Sequence, residues 1–145
     1  DVSGFIRTEE VGNTASATSV YPAVRAHLLE LQRSLAASQN VIMDGRDIGT
    51  CILPDAEAKI YLTASSRVRA LRRYKELTEK GTVCNLEEIE QDIIERDHRD
   101  MTRETAPLKQ AEDAVLLDSS EMTIDEVVQA IIDTAKAHGL EEDVS

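Results

Sequence analysis

The chain has 145 residues, 41% of them hydrophobic, and its 28 acidic side chains outnumber its 16 lysines and arginines to give a net charge of −12. That apolar content is sufficient for one domain with a core, and the negative charge excludes general binding to nucleic acids or anionic membranes, because its field repels a polyanion. No apolar run approaches the roughly 18 residues of a membrane span, and the start lacks the layout of a signal peptide, so we expect a cytoplasmic protein.

The first predicted elements are a helix and a buried strand. A polar opening rich in Ser, Thr and Glu is followed by helical spacing of apolar residues at Val24, Leu28, Leu31 and Leu35. Pro22 suits the first turn of this helix. Residues 41–44, Val-Ile-Met-Asp, form a short apolar run that leads into Asp-Gly-Arg-Asp. This run predicts a buried strand with reactive side chains at its carboxyl end.

The rest of the chain alternates strands with helices. A second strand is predicted over 58–62, followed by a helix with caps in 63–66 and an end at Gly81. A further helix is predicted from about 86 to 103, a third buried strand over 114–118, and a last helix opened by a capping box of Thr123 and Glu126. Strands that alternate with helices indicate an α/β fold with a mostly parallel sheet.

The turn after the first strand is one candidate site. In open α/β sheets ligands bind outside the carboxyl ends of the strands, which is where Asp44, Gly45, Arg46 and Asp47 are predicted to lie. Gly45 permits close backbone approach, Arg46 offers paired donors to a phosphate or a base, and Asp47 supplies an acceptor. The pattern alone is equally compatible with a strand-ending turn that carries a solvated ion pair.

The helix over 86–103 holds a second candidate site. Arg96, Asp100 and Arg103 follow i, i+4, i+7 spacing and would project from one helix face, where the arginines could stabilise a phosphoryl group in transfer. A solvated charged face or an intrahelical salt bridge fits this spacing as well. The same two interpretations apply to the group Arg69, Arg72 and Arg73. Because segment 67–103 carries nine basic and nine acidic residues, it is neutral and offers no basic face.

Seven motifs, in the same order and spacing, resemble those of bacterial cytidylate kinases and together span nearly the whole chain. They are Ile6-Arg7-Thr8-x-Glu10-Val11, Asn13-x-Ala15-Ser16, Pro22-x-Val24-Arg25, Asp44-Gly45-Arg46-Asp47-x-Gly49-Thr50, Pro54-Asp55-Ala56-x-x-Lys59-Ile60, Glu95-Arg96-Asp97-x-Arg99-Asp100 and Ala106-Pro107-Leu108. The resemblance implies transfer of the γ-phosphoryl of ATP, bound with Mg²⁺, to CMP or dCMP. It also implies a monomer.

The resemblance assigns roles to individual residues of this chain. It places the CMP base, sugar and phosphate against five side chains, namely Ser16, Arg25, Arg46, Asp47 and Asp100. Arg96, Asp100 and Arg103 match the residues around the CMP sugar and phosphate and the transferring phosphoryl, and Arg73 resembles a lid arginine that closes over ATP. Lid closure would exclude water, which competes as an acceptor of the phosphoryl group.

The resemblance also implies a P-loop kinase-like three-layer fold with a parallel sheet. None of the six glycines begins the pattern G-x-x-x-x-G-K-[ST], which cradles ATP phosphates. In the family this loop follows a central first strand near the N-terminus, so the chain is expected to lack both and to be a fragment. We therefore expect these residues alone to fold poorly and to be inactive. The resemblance suggests four regions: an NMP-binding part (1–39), core strands with the nucleoside-site turn (40–66), a helical lid (67–105), and a core strand with the C-terminal helix (106–145).

Cysteine and histidine indicate no metal centre. Cys51 and Cys84 are far apart and form no C-x-x-C pair, so neither a disulfide framework nor a cysteine zinc site is predicted. His27, His98 and His138 lack mutual ligand spacing and are interpreted as surface or helix residues. Two alternatives to a kinase stay open: a non-catalytic CMP-binding module without ATP chemistry, and a structural α/β domain with solvated arginines.

Overall fold

The computed structural model describes residues 6, 8–18 and 21–140. The chain divides into two compact units, Asp1–Asp44 and Gly45–Ser145. In the first unit, helix α1 spans Glu9–Thr18 and helix α2 spans Pro22–Ser38. Pro22 lies in the first turn of α2, as its fixed φ favours. The predicted helix is therefore confirmed, whereas α1 lies in the polar stretch for which the sequence predicted no element.

The strand predicted over 41–44 is wrong for the described chain. Residues 41–44 have no regular secondary structure, and the side chain of Ile42 is 99% exposed. A strand requires a neighbour for its backbone N–H and C=O groups, and no described strand pairs with this segment. An apolar run alone therefore did not determine a strand at this position.

The second unit contains a parallel sheet of two strands, β1 (Ile60–Thr63) and β2 (Val115–Asp118). Ile60 pairs with Val115 and Thr63 with Asp118, so the carboxyl ends of the two strands meet. The α/β class and both strands are confirmed. Their predicted burial is wrong in part, since Leu62 and Leu116 are more than half exposed. In a sheet of two strands, each strand has a neighbour on one edge only, and its other edge is open.

Helices α3 (Ser66–Glu79) and α4 (Leu86–Thr102) follow β1 and precede β2 along the chain. The two helices pack against each other. Ser65 caps α3 by accepting from the Val68 N–H, and Asn85 caps α4 by accepting from the N–H groups of its first turn. Gly81 ends the α3 region with φ +75°, a backbone conformation that glycine adopts without strain. The two predicted helices, the cap within 63–66 and the end at Gly81 are confirmed, whereas no cap at Asn85 was predicted.

The last helix, α5 (Ile124–Ala137), begins with the predicted capping box. The Thr123 hydroxyl accepts from the Glu126 N–H, and the Glu126 carboxylate accepts from the Thr123 N–H at 2.7 Å. The hydrogen bonds that the Thr123 N–H and hydroxyl donate to the Glu126 carboxylate hold the pKa of Glu126 below its ordinary value. None of the described helices is long and apolar enough to cross a membrane.

Candidate functional site

The turn that carries Arg46 and Asp47 is followed by a π-helical turn over Ile48–Ile52. The Asp47 carbonyl accepts from the N–H groups of Cys51 at 2.9 Å and Ile52 at 3.2 Å. Asp47 is buried, at 8% exposure. The sequence had predicted no helical turn after it. A Cβ at Gly45 would lie 2.9 Å from a side-chain carbon of Ile48, so the turn accepts only glycine there without a shift. Pi-helical turns are rare and occur often at functional sites.

Asp100 is the centre of the candidate site. It lies near the end of α4 with 8% exposure. Arg46 donates from Nε to Asp100 Oδ2 at 2.9 Å, and Nη1 of Arg103 lies 3.9 Å from Asp100 Oδ1. The structure therefore joins Arg46, Asp100 and Arg103, which the sequence supplied from two separate segments.

Arg103 reaches Asp100 by a route that differs from the predicted one. It is the residue after α4, with an extended backbone (φ −60°, ψ 142°), so the prediction of one helix face with Arg96, Asp100 and Arg103 is wrong for Arg103. Its Nε donates to the Ala106 carbonyl at 2.8 Å, and Ala106 has φ +48°. The Leu108 N–H also donates to the Asp100 carbonyl at 2.8 Å. The segment after α4 thus folds back onto the helix end and redirects Arg103.

Arg96 stands apart from this cluster. Its side chain is exposed on α4 and forms no hydrogen bond or ion pair with another residue in the described part of the chain. An exposed guanidinium on a helix is available to an anion, but the structure does not join it to Asp100. Its assignment to the phosphoryl site stays a prediction.

The Asp100 cluster has the chemistry of an anion and hydroxyl site. Within the described residues, Arg46 donates only through Nε, and its side chain is 45% exposed. Its two terminal nitrogens are therefore available to a planar or tetrahedral oxyanion such as phosphate. The Asp100 carboxylate can accept from a sugar hydroxyl, while the two guanidiniums offset the cost of burying its charge.

The α3 arginines have different partners. Arg69 forms a two-pronged pair with Asp97 of α4, with one prong of 3.0 Å from Nη1 to Oδ1, and these hydrogen bonds raise the pKa of Arg69 further above its usual range. Arg72 donates to the Ser119 carbonyl at 2.6 Å, at the carboxyl end of β2. Both side chains connect elements of the fold.

Arg73, the predicted lid arginine, pairs within its own helix. Its Nη1 lies 2.9 Å from Glu76 Oε2, and Lys80 Nζ lies 2.6 Å from Glu76 Oε1. The hydrogen bonds from Lys80 and then Arg73 lower the pKa of Glu76 to about 2. This pairing does not test whether Arg73 contacts ATP, so its assignment to the lid stays a prediction.

Two predicted substrate residues belong to the first unit. The backbone of Ser16 lies in α1, and its side chain is outside the described residues. Arg25 lies in the first turns of α2, is half-buried and has an interaction partner. Each unit is described by itself, so the grouping of Ser16 and Arg25 with Arg46 stays a prediction.

Sequence reasoning missed a buried lysine, paired with an exposed aspartate, beside the π-helical turn. Lys59, at 8% exposure, donates from Nζ to the Pro54 carbonyl and to Asp113 Oδ2, the latter at 2.5 Å. The hydrogen bond from Lys59 lowers the pKa of Asp113. A lysine within the apolar run 58–62 was the available signal, since buried lysines are rare unless paired.

No described group of three or more His, Cys, Asp or Glu side chains could hold a metal ion.

Comparison with known proteins gives a consistent result. A family model described as cytidylate kinase matches residues 1–137. The chain is 54% identical to a cytidylate kinase of Alkaliphilus metalliredigens and 53% identical to that of Aeromonas salmonicida, over 90% and 91% of its own length and 60% and 57% of theirs. It is 48% identical to the cytidylate kinase of Methylococcus capsulatus over 95% of the chain and 62% of that protein. The chain thus spans about 60% of the length of these relatives. With its α/β fold and the matching motifs, this chain belongs to the cytidylate kinase family.

Proposed function

We propose that the protein carrying this chain transfers the γ-phosphoryl of ATP to CMP or dCMP and produces CDP or dCDP. The observation that supports this most directly is the hydrogen bond of Arg46 to the buried carboxylate of Asp100, with Arg103 beside it. A family match over residues 1–137 supports the same activity. Because the chain spans only part of its relatives, the activity is proposed for the whole protein.

Arg46 and Arg103 bind the CMP phosphate in this proposal, and Asp100 accepts from a ribose hydroxyl. Arg46 has unused terminal donors among the described residues, which suits a phosphate oxygen pair. Arg96 joins them when the transferring phosphoryl arrives, since phosphoryl transfer is promoted chiefly by positioning and by charge stabilisation. In this proposal Ser16, Arg25 and Asp47 read the base through side-chain hydrogen bonds that a wrong base could not form.

ATP would be bound with Mg²⁺, which would supply positive charge to its phosphates. We propose that a P-loop outside the 145 residues binds these phosphates and that Arg73 closes over ATP, exchanging Glu76 for a phosphate oxygen. The complete protein then has the P-loop kinase fold, to whose parallel sheet β1 and β2 contribute. In this proposal the 145 residues by themselves are inactive. The whole protein is a monomer and is located in the cytoplasm.

The test compares the full-length gene product with the isolated 145 residues. ADP production is followed with CMP, dCMP, UMP and AMP as acceptors at equal concentration, in the presence of Mg²⁺ and ATP. We expect turnover with CMP or dCMP at least tenfold above AMP for the full-length protein, and none for the isolated chain. Binding of CMP without turnover by the full-length protein would favour a non-catalytic nucleotide-binding module instead.

A further inference from the structure

Lys59 connects three segments of the second unit. Its backbone carbonyl accepts from the Val115 N–H at 2.9 Å, which ties it to the start of β2. Its ammonium donates to the Pro54 carbonyl and to the Asp113 carboxylate in the loop before β2. Its aliphatic stem lies 3.5 Å from the position that a Cβ on Gly49 would take, so the π-helical turn packs close to it.

The position of Lys59 bears on the candidate site through the π-helical turn. That turn begins directly after Asp47, whose carbonyl accepts its first hydrogen bonds, and Leu53 donates back to the Ile48 carbonyl at 2.7 Å. Pro54 follows, and its carbonyl is the one that Lys59 binds. Pro54 is thus connected to Asp47 and Arg46 through one short hydrogen-bonded turn.

Burial of this ammonium needs a reason beyond packing. An unpaired buried charge is very unfavourable, and even a paired one is often no more stabilising than an apolar residue of similar volume. Lys59 is 8% exposed, whereas its partner Asp113 has a side chain that is 64% exposed. An apolar side chain could fill the space but could not donate to both Pro54 and Asp113. Directional hydrogen bonding is what the lysine adds.

We propose that Lys59 is a positioning residue for the CMP site: it anchors the turn 48–54 to β1 and to the loop before β2, and thereby holds Arg46 and Asp47 where the monophosphate binds. The proposal rests on the proposed function. It predicts an effect on CMP binding with little effect on ATP binding or on kcat, because the turn carries residues for the acceptor nucleotide.

The test uses the full-length protein and the variant Lys59→Met, which retains the stem and removes the ammonium. We expect the KM for CMP and the calorimetric Kd for CMP to rise about tenfold, an effect of the size of one lost charge-assisted hydrogen bond. The KM for ATP and kcat should stay within threefold of the unsubstituted protein. Lys59→Arg, which keeps the charge, should restore part of the CMP affinity.

Asp113→Asn provides a second variant on an exposed side chain, and it decides the proposal if Lys59→Met does not fold. We expect a two- to fivefold rise in KM for CMP. Where both single variants fold, adding it to Lys59→Met should cause no further loss, because both changes break the same ion pair. Lys109→Met, the same substitution at an exposed lysine near this loop, should leave every constant unchanged.

Three results would overturn the positioning role. They are an unchanged KM and Kd for CMP in Lys59→Met, an equal rise for CMP and ATP, or, where Lys59→Met does not fold, an unchanged KM for CMP in Asp113→Asn. The unsubstituted protein separates this from the proposed function: if it fails to phosphorylate CMP, the kinase proposal fails, while the Kd for CMP still reports on Lys59. If it phosphorylates CMP normally and the variants do not differ, only the positioning role fails.

Discussion

Two groups of arginines in the second unit have contrasting surroundings. Arg46 and Arg103 approach one buried carboxylate, that of Asp100, and Arg46 keeps terminal donors unused within the described residues. On α3, Arg69 has both terminal nitrogens and Nε engaged, by Asp97 and by the Ala64 carbonyl. Arg46 and Arg103 thus share one acceptor, and Arg46 has N–H donors that are not used within the described residues. Arg69 instead connects α3 to neighbouring elements.

Charge and residue type therefore do not separate a binding arginine from a structural one. Both groups lie in sequence surroundings rich in acids, and both pair with aspartates of α4 that are three positions apart, Asp97 and Asp100. The number of donors already satisfied by the protein is the distinguishing feature, because an arginine with its donors occupied has none to offer a phosphate.

The largest effect is expected for Asp100→Asn in the full-length protein. Removal of the carboxylate charge disorders Arg46 and Arg103 and removes the acceptor for the sugar, so we expect a loss of about 100-fold in kcat/KM for CMP, as for removal of one preorganised electrostatic partner. Steady-state kinetics measure it. The matched variant Asp97→Asn, one helical turn away, should change kcat/KM by less than threefold. Equal losses in the two variants would erase the contrast between the groups.

A smaller effect on activity is expected for Arg46→Lys. Lysine keeps the charge but lacks the planar fork that can bind Asp100 and a phosphate at once, so we expect the KM for CMP to rise about tenfold. The control is Arg67→Lys, since Arg67 pairs with Glu90 on an exposed surface. A rise in KM for Arg67→Lys as large as that for Arg46→Lys would count against the assignment of Arg46.

For the structural group we expect an effect on stability rather than on activity. Arg69→Met breaks the two-pronged pair with Asp97 that joins α3 to α4. Because both side chains are partly exposed, the cost should be about 1 kcal/mol in the free energy of unfolding. Urea denaturation of Arg69→Met, Asp97→Asn and the double variant measures the coupling. A coupling free energy near zero would show that the Arg69–Asp97 pair adds nothing measurable to stability.

The smallest effect concerns the pH dependence of stability at Glu76. Its pKa is lowered from 4.5 to about 2 by hydrogen bonds from Lys80 and then Arg73. A lowered folded-state pKa adds stability above the ordinary value, and that stability is lost as the pH falls from about 4.5 toward about 2. Melting temperatures should therefore differ most between the unsubstituted protein and Glu76→Gln at pH 6, and least near pH 2. A difference that is constant over this range would contradict the ion pairs.

Local signals predicted most elements of the second unit. The caps Ser65 and Thr123 and the helix-ending Gly81 act through bonds to their sequence neighbours, so their roles could be read from a few residues. The strands around Ile60 and Val115 also came from short apolar runs. The failures were at 41–44, where a strand needs a partner, and at α1, where a polar sequence gave no apolar period.

For the candidate site, local sequence singled out the predicted residues: Arg46, Asp47 and Asp100 lie in the matching motifs, and Arg103 was named from its spacing after Asp100. Tertiary structure alone decided that Arg46 bonds Asp100 across 54 positions, that Arg103 turns back beyond the end of α4, and that Lys59 is buried against Pro54 and Asp113. The physical reason is range. Caps and periodicity act within a few residues, whereas an ion pair between distant segments forms only after packing brings them together.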